Sequence, residues 1–333
     1  MLTHIDLFAG IGGFSLGFER AGIETLAHVE IDEKCQGVLR NHWENHLIFS
    51  DVCEVGSHNL PYADIITFGS PCQDLSIAGK RKGFADGTRS NLFFEAVRII
   101  REIEPKYAVW ENVPGALSSH NGRDFQSVIE LLLDTDIPMP KSGRWASSGM
   151  VRTGQKEVAW RILDAQYFGV AQRRRRLFLI FCSGNGSPSS ILFEREGVRW
   201  NPPARGKTGE GIAGETCSSI EGRCYKGINS DNLDHMIPGA LQARDYKGVG
   251  NQYVDEGKCI PFRMTAFSEE LDMTLGGQQQ FVGVRRLTPT ECERLQGFPD
   301  GWTAGQSDST RYKQLGNAVA VPVAEWIGKR INQ

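Results

Sequence analysis

The sequence predicts an α/β protein in which a mostly parallel sheet carries helices on both faces and a smaller, irregular unit is attached. From residue 1 to about 183, apolar runs of strand length alternate with segments of helical periodicity, a pattern typical of a parallel α/β sheet. A glycine-rich turn at residues 10–13 follows the first apolar run, as in doubly wound nucleotide-binding folds. From about 184 to 284, glycine and polar residues dominate without a long helical period, which indicates an irregular domain.

Strands are expected where short apolar runs are bounded by turn residues, and helices where apolar residues recur every three to four positions. Gly22 closes the first helix, and Pro105 stops the third. Near the end of the sequence, Thr288 is expected to cap a helix with Pro289 at its first position, and a final helix starts near Pro322. We expect strands at 3–8, 26–30, 48–51, 65–68, 107–111 and 177–182, and helices at 14–21, 32–42, 92–103, 125–133 and 288–295.

Two segments interrupt the alternation of strands and helices. Residues 136–158 contain several prolines and glycines and are expected to form a long surface loop. Residues 183–190 have the composition of a linker. We therefore expect a first domain over residues 1–183, completed by residues 309–333, and a second domain over residues 184–308.

The composition is that of a folded protein without covalent or metal cross-links. Hydrophobic residues make up 40% of the 333 residues, which suffices for a large core, and the formal net charge is −3. This charge excludes a general polycation but is compatible with a local basic groove. None of the eight cysteines forms a Cys-x-x-Cys motif, so we expect neither a disulfide framework nor a metal site. Without a signal-peptide pattern or a long apolar stretch, we expect a cytoplasmic protein.

The first three predicted strands end in residues that suit a nucleotide. The glycines of residues 10–13 approximate a dinucleotide-binding turn, with Ser15 where a third small residue is expected. Glu30 ends the second strand, near the spacing at which an acid holds ribose hydroxyls, and Asp51 ends the third. Each feature alone is equally typical of an ordinary turn or a solvated acid. Together they predict a site for an adenosine-bearing ligand.

A cysteine and a glutamate follow two other predicted strands. Gly-Ser-Pro-Cys-Gln occupies residues 69–73, directly after the apolar run at 65–68. A thiolate at the carboxyl end of a strand could act as a nucleophile, although a lone Pro-Cys pair more often marks an inert thiol in a turn. Glu111 ends the strand at 107–111. It could share a pocket with Cys72 and hold a heterocycle, or it could be a capping or ion-pairing residue.

Two basic runs are candidates for binding a polyanion. Gln-Arg-Arg-Arg-Arg at residues 172–176 adjoins the buried strand at 177–182. Because side chains alternate along a strand, Arg174 and Arg176 should share one side, which suits phosphate or base contacts. Lys-Arg-Lys at residues 80–82 lies between Gly79 and Gly83. This segment is a candidate basic loop over a polyanion.

Six motifs occur in a fixed order along the chain. They are Asp-Leu-Phe-Ala-Gly-Ile-Gly-Gly (6–13), Gly-Ser-Pro-Cys-Gln (69–73), Glu-Asn-Val (111–113), Gln-Arg-Arg-Arg-Arg (172–176), Arg-Leu-Thr-Pro-Thr-Glu-Cys-Glu-Arg-Leu-Gln-Gly-Phe-Pro (286–299) and Gln-Leu-Gly-Asn-Ala-Val-Ala-Val-Pro (314–322). Together they resemble the ordered motifs of the DNA (cytosine-5) methyltransferases, apart from residues 136–158 and 184–284. The compact length resembles bacterial or phage members of that family.

The resemblance implies a Rossmann-like methyltransferase fold with a target-recognition domain at residues 184–308. It implies S-adenosylmethionine as cofactor and S-adenosylhomocysteine as product. Glu30 would hold the ribose hydroxyls, Asp51 the adenine amino group, and Asn317 the methionine end. The cofactor contacts implied in this way are Phe8, Gly10, Ile11, Gly12, Gly13, Glu30, Ile31, Asp51, Val52, Pro71, Leu92, Asn317 and Ala318.

The resemblance also implies the chemistry of the transfer. Cys72 would attack carbon 6 of a flipped-out cytosine in a specific double-stranded DNA sequence, which lets carbon 5 take the methyl group. Glu111 would hydrogen-bond the ring nitrogen beside the amino group. Arg174 resembles the arginine that orients the base, and Arg176 is a further candidate catalytic residue.

Residues 76–83 resemble the closing loop of the family, with Ser76, Lys80 and Arg81 as candidate phosphate contacts. Sequence choice would fall to residues 184–284, which hold 10 Lys and Arg against 13 Asp and Glu and so form no cationic clamp. Candidate base-reading residues there are Arg244, Asp245, Tyr246 and Lys247, although an ordinary turn explains this segment equally well.

As partners we expect double-stranded DNA and a cognate restriction endonuclease, with no membrane and a monomeric enzyme. Three other functions remain open from the sequence. A transfer RNA cytosine methyltransferase would share the chemistry, but the roughly 100 residues at 184–284 favour DNA. A DNA-binding regulator without turnover would not need Cys72, Glu111 and Arg174. A nicotinamide dehydrogenase would explain the glycines and Glu30 but would give Cys72 and Glu111 no joint role.

Overall fold

The computed structural model of the protein describes residues 1–70, 92–193, 259–265 and 280–333. These ranges form an eight-stranded sheet with flanking helices and a two-stranded antiparallel ribbon. The strands are β1 (Thr3–Leu7), β2 (Glu24–Val29), β3 (Leu47–Phe49), β4 (Ile65–Phe68), β5 (Tyr107–Asn112), β6 (Ser148–Thr153), β7 (Lys156–Asp164), β8 (Arg175–Ser183), β9 (Cys259–Thr265) and β10 (Gln280–Arg286). The α-helices are α1 (Gly13–Arg20), α2 (Glu33–His42), α3 (Leu92–Ile103), α4 (Arg123–Leu133), α5 (Pro188–Leu192), α6 (Pro289–Gln296), α7 (Asp308–Asn317) and α8 (Val321–Ile331).

The order of the strands creates a crevice at one edge of the sheet. The order is β3-β2-β1-β4-β5-β8-β7-β6. Strands β3 to β5 pair in parallel, and β8, β7 and β6 continue the sheet with antiparallel pairs. The chain moves outward from β1 in both directions, so β1 and β4 flank the point where the winding reverses. Ligands of open α/β sheets bind outside the carboxyl ends of the strands at such a point.

Helices cover both faces of the sheet, as the sequence predicts. On one face, α3 and α4 bury Phe93 and Phe125 in a core cluster with Trp110 of β5. On the other face, α1 and α8 pack together, and Phe18 and Ile327 join the second cluster. All four residues of β4 are buried, which explains why this strand is an uninterrupted apolar run in the sequence.

The predicted surface loop at residues 136–158 is wrong in its second half. Residues 148–153 and 156–164 form the hairpin of β6 and β7, and β7 also pairs with β8. Val158 and Trp160 of β7 are buried. Gly149 of β6 lets the Trp160 ring lie against its backbone, because a Cβ there would be 2.4 Å from the ring. The prolines and glycines before residue 150 obscured the strand pattern that follows them.

The C-terminal segment packs on the first unit from Leu287 onward, before the predicted residue 309. Leu287, Cys292 and Trp302 form one buried cluster with Ile11 and Leu39. Helix α6 begins as predicted, with Thr288 and Glu291 forming a capping box. Helix α7 was not predicted. No helix in the described ranges is long and apolar enough to cross a membrane.

Candidate active site

A cavity of about 840 Å³ lies at the carboxyl-terminal edge of the parallel strands. Its walls come from the residues at the ends of β1, β2, β3, β4 and β5, from the start of β8 and the residues before it, and from α7 and the residues after it. The structure brings most of the predicted site residues together here: Phe8, Gly10, Gly13, Glu30, Ile31, Asp51, Val52, Leu92, Glu111, Arg174, Arg176, Asn317 and Ala318. Adenosine-binding and base-binding candidates therefore share one cavity.

Some predicted residues lie outside the described ranges. They are Pro71, Cys72, Ser76, Lys80, Arg81, Arg244, Tyr246 and Lys247. Their assignments stay predictions from the sequence.

In the glycine-rich turn after β1, some residues face the cavity and others face the hydrophobic core. Gly10 has a φ of +55° and nothing within 4 Å of the position of a Cβ, so it leaves room on the cavity side. Gly12 has a φ of +82°, and a Cβ there would be 2.4 Å from the Trp43 ring. Ile11 is 1% exposed and packs in the core. The side chain of Ile11 and the Cβ position of Gly12 thus face the core, and neither residue lines the cavity. Their assignment to the cofactor site stays a prediction from the sequence.

Glu30 is fixed at the end of β2 by backbone donors. Its Oε2 accepts a hydrogen bond from the Gly10 amide at 2.7 Å, and its Oε1 accepts one from the Asp32 amide at 2.8 Å. Burial raises the pKa of Glu30, and these hydrogen bonds oppose that shift. The carboxylate therefore ties the glycine-rich turn to β2. Each oxygen keeps acceptor capacity for a ligand hydroxyl.

A buried network of polar side chains, which the sequence did not predict, supports the glycine-rich turn from the interior of the protein. Asp6 Oδ2 accepts from Ser15 Oγ at 2.8 Å, and Asp6 Oδ1 accepts from Thr67 Oγ1 at 2.7 Å. Because the Thr67 hydroxyl gives its one proton to Asp6, it accepts from His4 Nε2 at 2.7 Å. Neutral His4 then accepts from Thr25 Oγ1 through Nδ1 at 3.1 Å. The visible signal was two polar residues, His4 and Asp6, at alternate positions of a buried strand.

Burial controls the titration of this network. Burial raises the pKa of Asp6 to about 7 and lowers the pKa of His4 well below its ordinary value. Both side chains are almost fully buried. Burial thus favours the neutral form of both side chains, and their hydrogen bonds join β1, β2, β4 and α1.

The other end of the cavity is formed by Glu111 of β5. Its side chain is 15% exposed, and its Oε1 lies 3.1 Å from Arg176 Nε. Burial raises the pKa of Glu111, and the charges of Arg176 and Arg174 oppose the shift. The neighbouring residue on β5, Trp110, donates its indole N–H to Ser70 Oγ at 3.2 Å. The strand thus presents a carboxyl to the cavity and holds the chain just before the predicted nucleophile.

Arg174 and Arg176 line the same cavity but contact different partners. Arg174 is 2% exposed, and its Nη2 donates to the carbonyl oxygens of Gly316 at 3.1 Å and Ala318 at 2.7 Å. Burial lowers the pKa of this guanidinium to about 9, and the charge of Arg176 adds to that effect. Arg176, not Arg174, is the arginine in an ion pair with Glu111. Strand β8 begins only at Arg175, so strand alternation does not relate the two side chains.

The turn that carries Asn317 is held from two sides. Gln296 of α6 donates through Nε2 to the Leu315 carbonyl at 2.6 Å, and Arg174 donates to the two carbonyls that flank Asn317. Asn317 itself is exposed at the cavity. The C-terminal loop is also tied to the glycine-rich turn, since Trp302 Nε1 donates to the Ile11 carbonyl at 2.9 Å. Sequence reasoning identified Asn317 but not the residues that position it.

Comparison with known families agrees with this geometry. The sequence model of the family of C-5 cytosine-specific DNA methylases matches residues 2–333 of the chain. The chain belongs to this family. The predicted resemblance is thereby confirmed over nearly the full length, and with it the assignment as a DNA (cytosine-5) methyltransferase at the level of the family.

Individual relatives of this methylase are distant in sequence. The type II methyltransferase M.HpaII of Haemophilus parainfluenzae is 30% identical over 351 residues, which cover 99% of this chain and 88% of that protein. A protein of Escherichia phage P1, named a DNA N-6-adenine-methyltransferase, is 28% identical over 463 residues. That alignment covers all of this chain, which spans 61% of the phage protein.

A solved structure confirms the predicted fold of this methylase. The S. pombe Dnmt2 methyltransferase superposes with a TM-score of 0.61 at 15% identity, over 100% of this chain and 99% of that chain. The predicted α/β methyltransferase fold is thus confirmed. In the described ranges, the eight-stranded sheet is mixed, with four parallel and three antiparallel pairs of adjacent strands.

Proposed function

We propose that the protein transfers a methyl group from S-adenosylmethionine to carbon 5 of a flipped-out cytosine within a specific double-stranded DNA sequence. The observation that carries this proposal is the single cavity that joins the Glu30 end to the Glu111–Arg176 end. A methyl donor at one end and a pyrimidine at the other would meet inside it. Family membership adds the target atom, carbon 5 of cytosine.

The residues present fit the cofactor. The cavity of about 840 Å³ is within the range of small-molecule sites. Glu30 and Asp51 supply acceptors, Gly10 leaves open space beside the backbone, and Asn317 offers an exposed amide from a braced turn. When bound, S-adenosylmethionine supplies an electrophilic methyl group. The protein residues would hold its adenosine at β2 and β3 and its amino-acid end at the Asn317 turn.

The base end suits an enzyme that must activate a cytosine ring. Because burial raises the pKa of Glu111, its carboxyl can carry a proton toward a ring nitrogen and stabilise the charge that develops there. The Arg176 guanidinium beside it can donate to the base. We propose Arg176 for this role, and we propose Arg174 as the brace of the Asn317 turn.

The nucleophile lies outside the described residues and is proposed from the sequence. The Cys72 thiolate would add to carbon 6 of the cytosine, and carbon 5 would then take the methyl group. Loss of the proton from carbon 5 and cleavage of the sulfur–carbon 6 bond would release the methylated base and regenerate the thiolate. A base inside a duplex cannot enter this cavity, so it must be flipped out.

The test is covalent trapping, in the presence of S-adenosylmethionine, with a duplex that carries 5-fluorocytosine at the target position. Fluorine on carbon 5 cannot leave as a proton does, so a working nucleophile stays attached to the DNA. We expect a stable adduct with the wild type and none with Cys72→Ser, while DNA binding of the variant persists. Absence of an adduct with a binding-competent wild type would favour a regulator without turnover.

The product and the substrate class need their own measurement. Duplex DNA and transfer RNA are offered beside each other with a labelled methyl donor, and the nucleosides are then separated. We expect 5-methylcytosine in duplex DNA. Label in transfer RNA, or label as N6-methyladenine, would contradict the proposal, and the latter would match the printed name of the phage P1 relative.

The cellular setting is proposed on the same basis. We propose a monomeric enzyme in the cytoplasm of a bacterial host, paired with a restriction endonuclease for the same sequence. The type II methyltransferase named above supports this pairing. Sedimentation of the protein alone tests the monomeric state, fractionation of the host tests the cytoplasmic location, and resistance of DNA from an expressing host to restriction endonucleases tests the pairing.

A further inference from the structure

A set of exposed cations lies outside the lining of the cavity and has no role in the site described above. Arg123 begins α4, and Lys141 and Arg144 lie in the segment that leads into β6. All three are exposed. None takes part in an ion pair with another described residue, although other surface cations, such as Arg98 and Arg152, pair with carboxylates.

Specific contacts hold Lys141 and Arg144 beside the start of α4. The Trp145 indole donates to the Gly122 carbonyl at 2.8 Å. A Cβ on Gly122 would be 2.9 Å from the Trp145 ring and 3.2 Å from Met139 Cε, so the segment lies directly on this glycine. The Gly143 amide donates to the Pro140 carbonyl at 2.8 Å, which puts Lys141 inside a tight turn. The three cations therefore belong to one surface, which we call the rim patch.

Strand register places the rim patch at the same edge of the sheet as the cavity. Ser148 opens β6 opposite Arg161 of β7, and β7 ends at Asp164 opposite Arg175. Arg174 and Arg176, on either side of Arg175, line the cavity. The segment before Ser148 thus approaches the sheet from the cavity edge.

The lateral distance follows from the strand order. Three strand steps separate β5, which carries Glu111, from β6. At about 4.8 Å for each step, β6 lies roughly 14 Å from β5 across the sheet, and we use this spacing as the lateral offset of the rim patch from the base end of the cavity. At about 3.4 Å per base pair, this equals about four base pairs along a duplex.

We propose that Arg123, Lys141 and Arg144 form a second contact surface for the phosphate backbone of the DNA, about four base pairs from the target base. The proposal rests on the proposed function, because it assumes that a duplex lies across the cavity. Cations that pair with no carboxylate of the described ranges, at the edge where a polyanion would dock, would lower the free energy of the complex through counterion release. Phosphate contacts of this kind position the duplex and carry no sequence information.

The experiment compares the double variant Lys141→Ala/Arg144→Ala with the wild type in DNA binding over a range of salt concentrations. We expect the slope of log affinity against log salt to fall by about two, since about one unit is lost for each phosphate contact. DNA affinity should fall about equally for target and non-target duplexes. The dissociation constant of S-adenosylhomocysteine should not change.

Lys156→Ala is the matched control. Lys156 lies in the same hairpin but at the end of β6 and β7 that is away from the cavity edge, roughly 17 Å from Ser148 along the strand. It should leave the salt slope unchanged. An equal loss in Lys156→Ala and in the double variant would overturn the proposal, because general charge and not position would then explain the effect.

Duplex length gives the second readout. Wild type and double variant are compared on duplexes shortened stepwise on either side of the target cytosine. We expect the difference between them to vanish when one side is cut to fewer than about four base pairs. A difference that is independent of duplex length on both sides, or an unchanged salt slope, would overturn the proposal. If the wild type itself bound no DNA, the proposed function and not the rim patch would have failed.

Discussion

Arg174 and Arg176 are two residues apart, and the structure predicts opposite consequences for their conservative substitution. In Arg174→Lys, one ammonium replaces a guanidinium nitrogen that donates to both the Gly316 and Ala318 carbonyls. At least one buried carbonyl then loses a charged donor. Such a hydrogen bond contributes about 2 kcal/mol. Because Gln296 still holds the turn through Leu315, we expect the turn to loosen without unfolding.

The loosened turn should appear mainly as weaker cofactor binding. A loss of about 2 kcal/mol corresponds to a dissociation constant for S-adenosylhomocysteine that is about 30-fold higher. Calorimetry with the purified variant measures it directly, and a thermal melt shows how much of the loss appears as instability. The dissociation constant for duplex DNA should stay within about threefold of the wild type.

Arg176→Lys is the matched comparison. It removes the donor beside Glu111, so turnover should fall by about 10²-fold or more while cofactor affinity stays unchanged. If Arg174→Lys kept its cofactor affinity and lost turnover instead, the assignment of the two arginines would be reversed and our reading of the Asn317 turn would be refuted.

Three further predictions concern the framework of the site. Burial raises the pKa of Asp6 to about 7, so the stability that its protonated form contributes is complete below about pH 4 and is lost as the pH rises through about 7. The unfolding free energies of the wild type and of Asp6→Asn are measured by urea titration at each pH. Relative to the variant, the wild type should lose about 4 kcal/mol of stability as the pH rises over that interval. A difference in stability that does not change with pH would contradict this prediction. Gly12→Ala should lower the melting temperature more than Gly10→Ala, because both glycines have a positive φ but only the Cβ at residue 12 would lie 2.4 Å from the Trp43 ring; Gly10→Ala should also weaken cofactor binding, since Gly10 lines the cavity, and equal melting temperatures of the two variants would refute this division. Glu293→Gln should lower the unfolding free energy by about 3 kcal/mol, since the buried carboxylate accepts from the Gly301 and Thr303 amides and from the Arg311 guanidinium, and a loss below about 1 kcal/mol would argue against it.

The parallel half of the fold could be predicted because each of its strands is a short apolar run. The run at residues 65–68 is apolar at nearly every position since both of its faces are covered. The ends of such strands meet at one edge, so Glu30, Asp51 and Glu111 could be placed together before their contacts were known. The prediction is correct there because each apolar run in the sequence is also a strand that the tertiary structure buries.

The remainder depends on contacts between distant segments. Helix α7 is polar, with only Tyr312 and Leu315 as large apolar buried residues, and therefore shows no apolar period. Trp302 donates a hydrogen bond to the Ile11 carbonyl, 291 positions away in the chain. No local sequence pattern predicts such a hydrogen bond. Arg174 and Arg176 make different contacts because β8 begins between them, at Arg175 and not at the predicted residue 177. The sequence pattern alone does not separate the two side chains.

The most direct test of the account is to supply duplex DNA and labelled S-adenosylmethionine to the wild type and to Glu111→Gln, and to identify the labelled nucleoside. We predict 5-methylcytosine at one sequence with the wild type, and a rate of methyl transfer that is lower by at least about 10²-fold with the variant, at nearly unchanged DNA affinity. Label on any other base, or full activity of Glu111→Gln, would contradict the claim that this cavity prepares a cytosine for methylation.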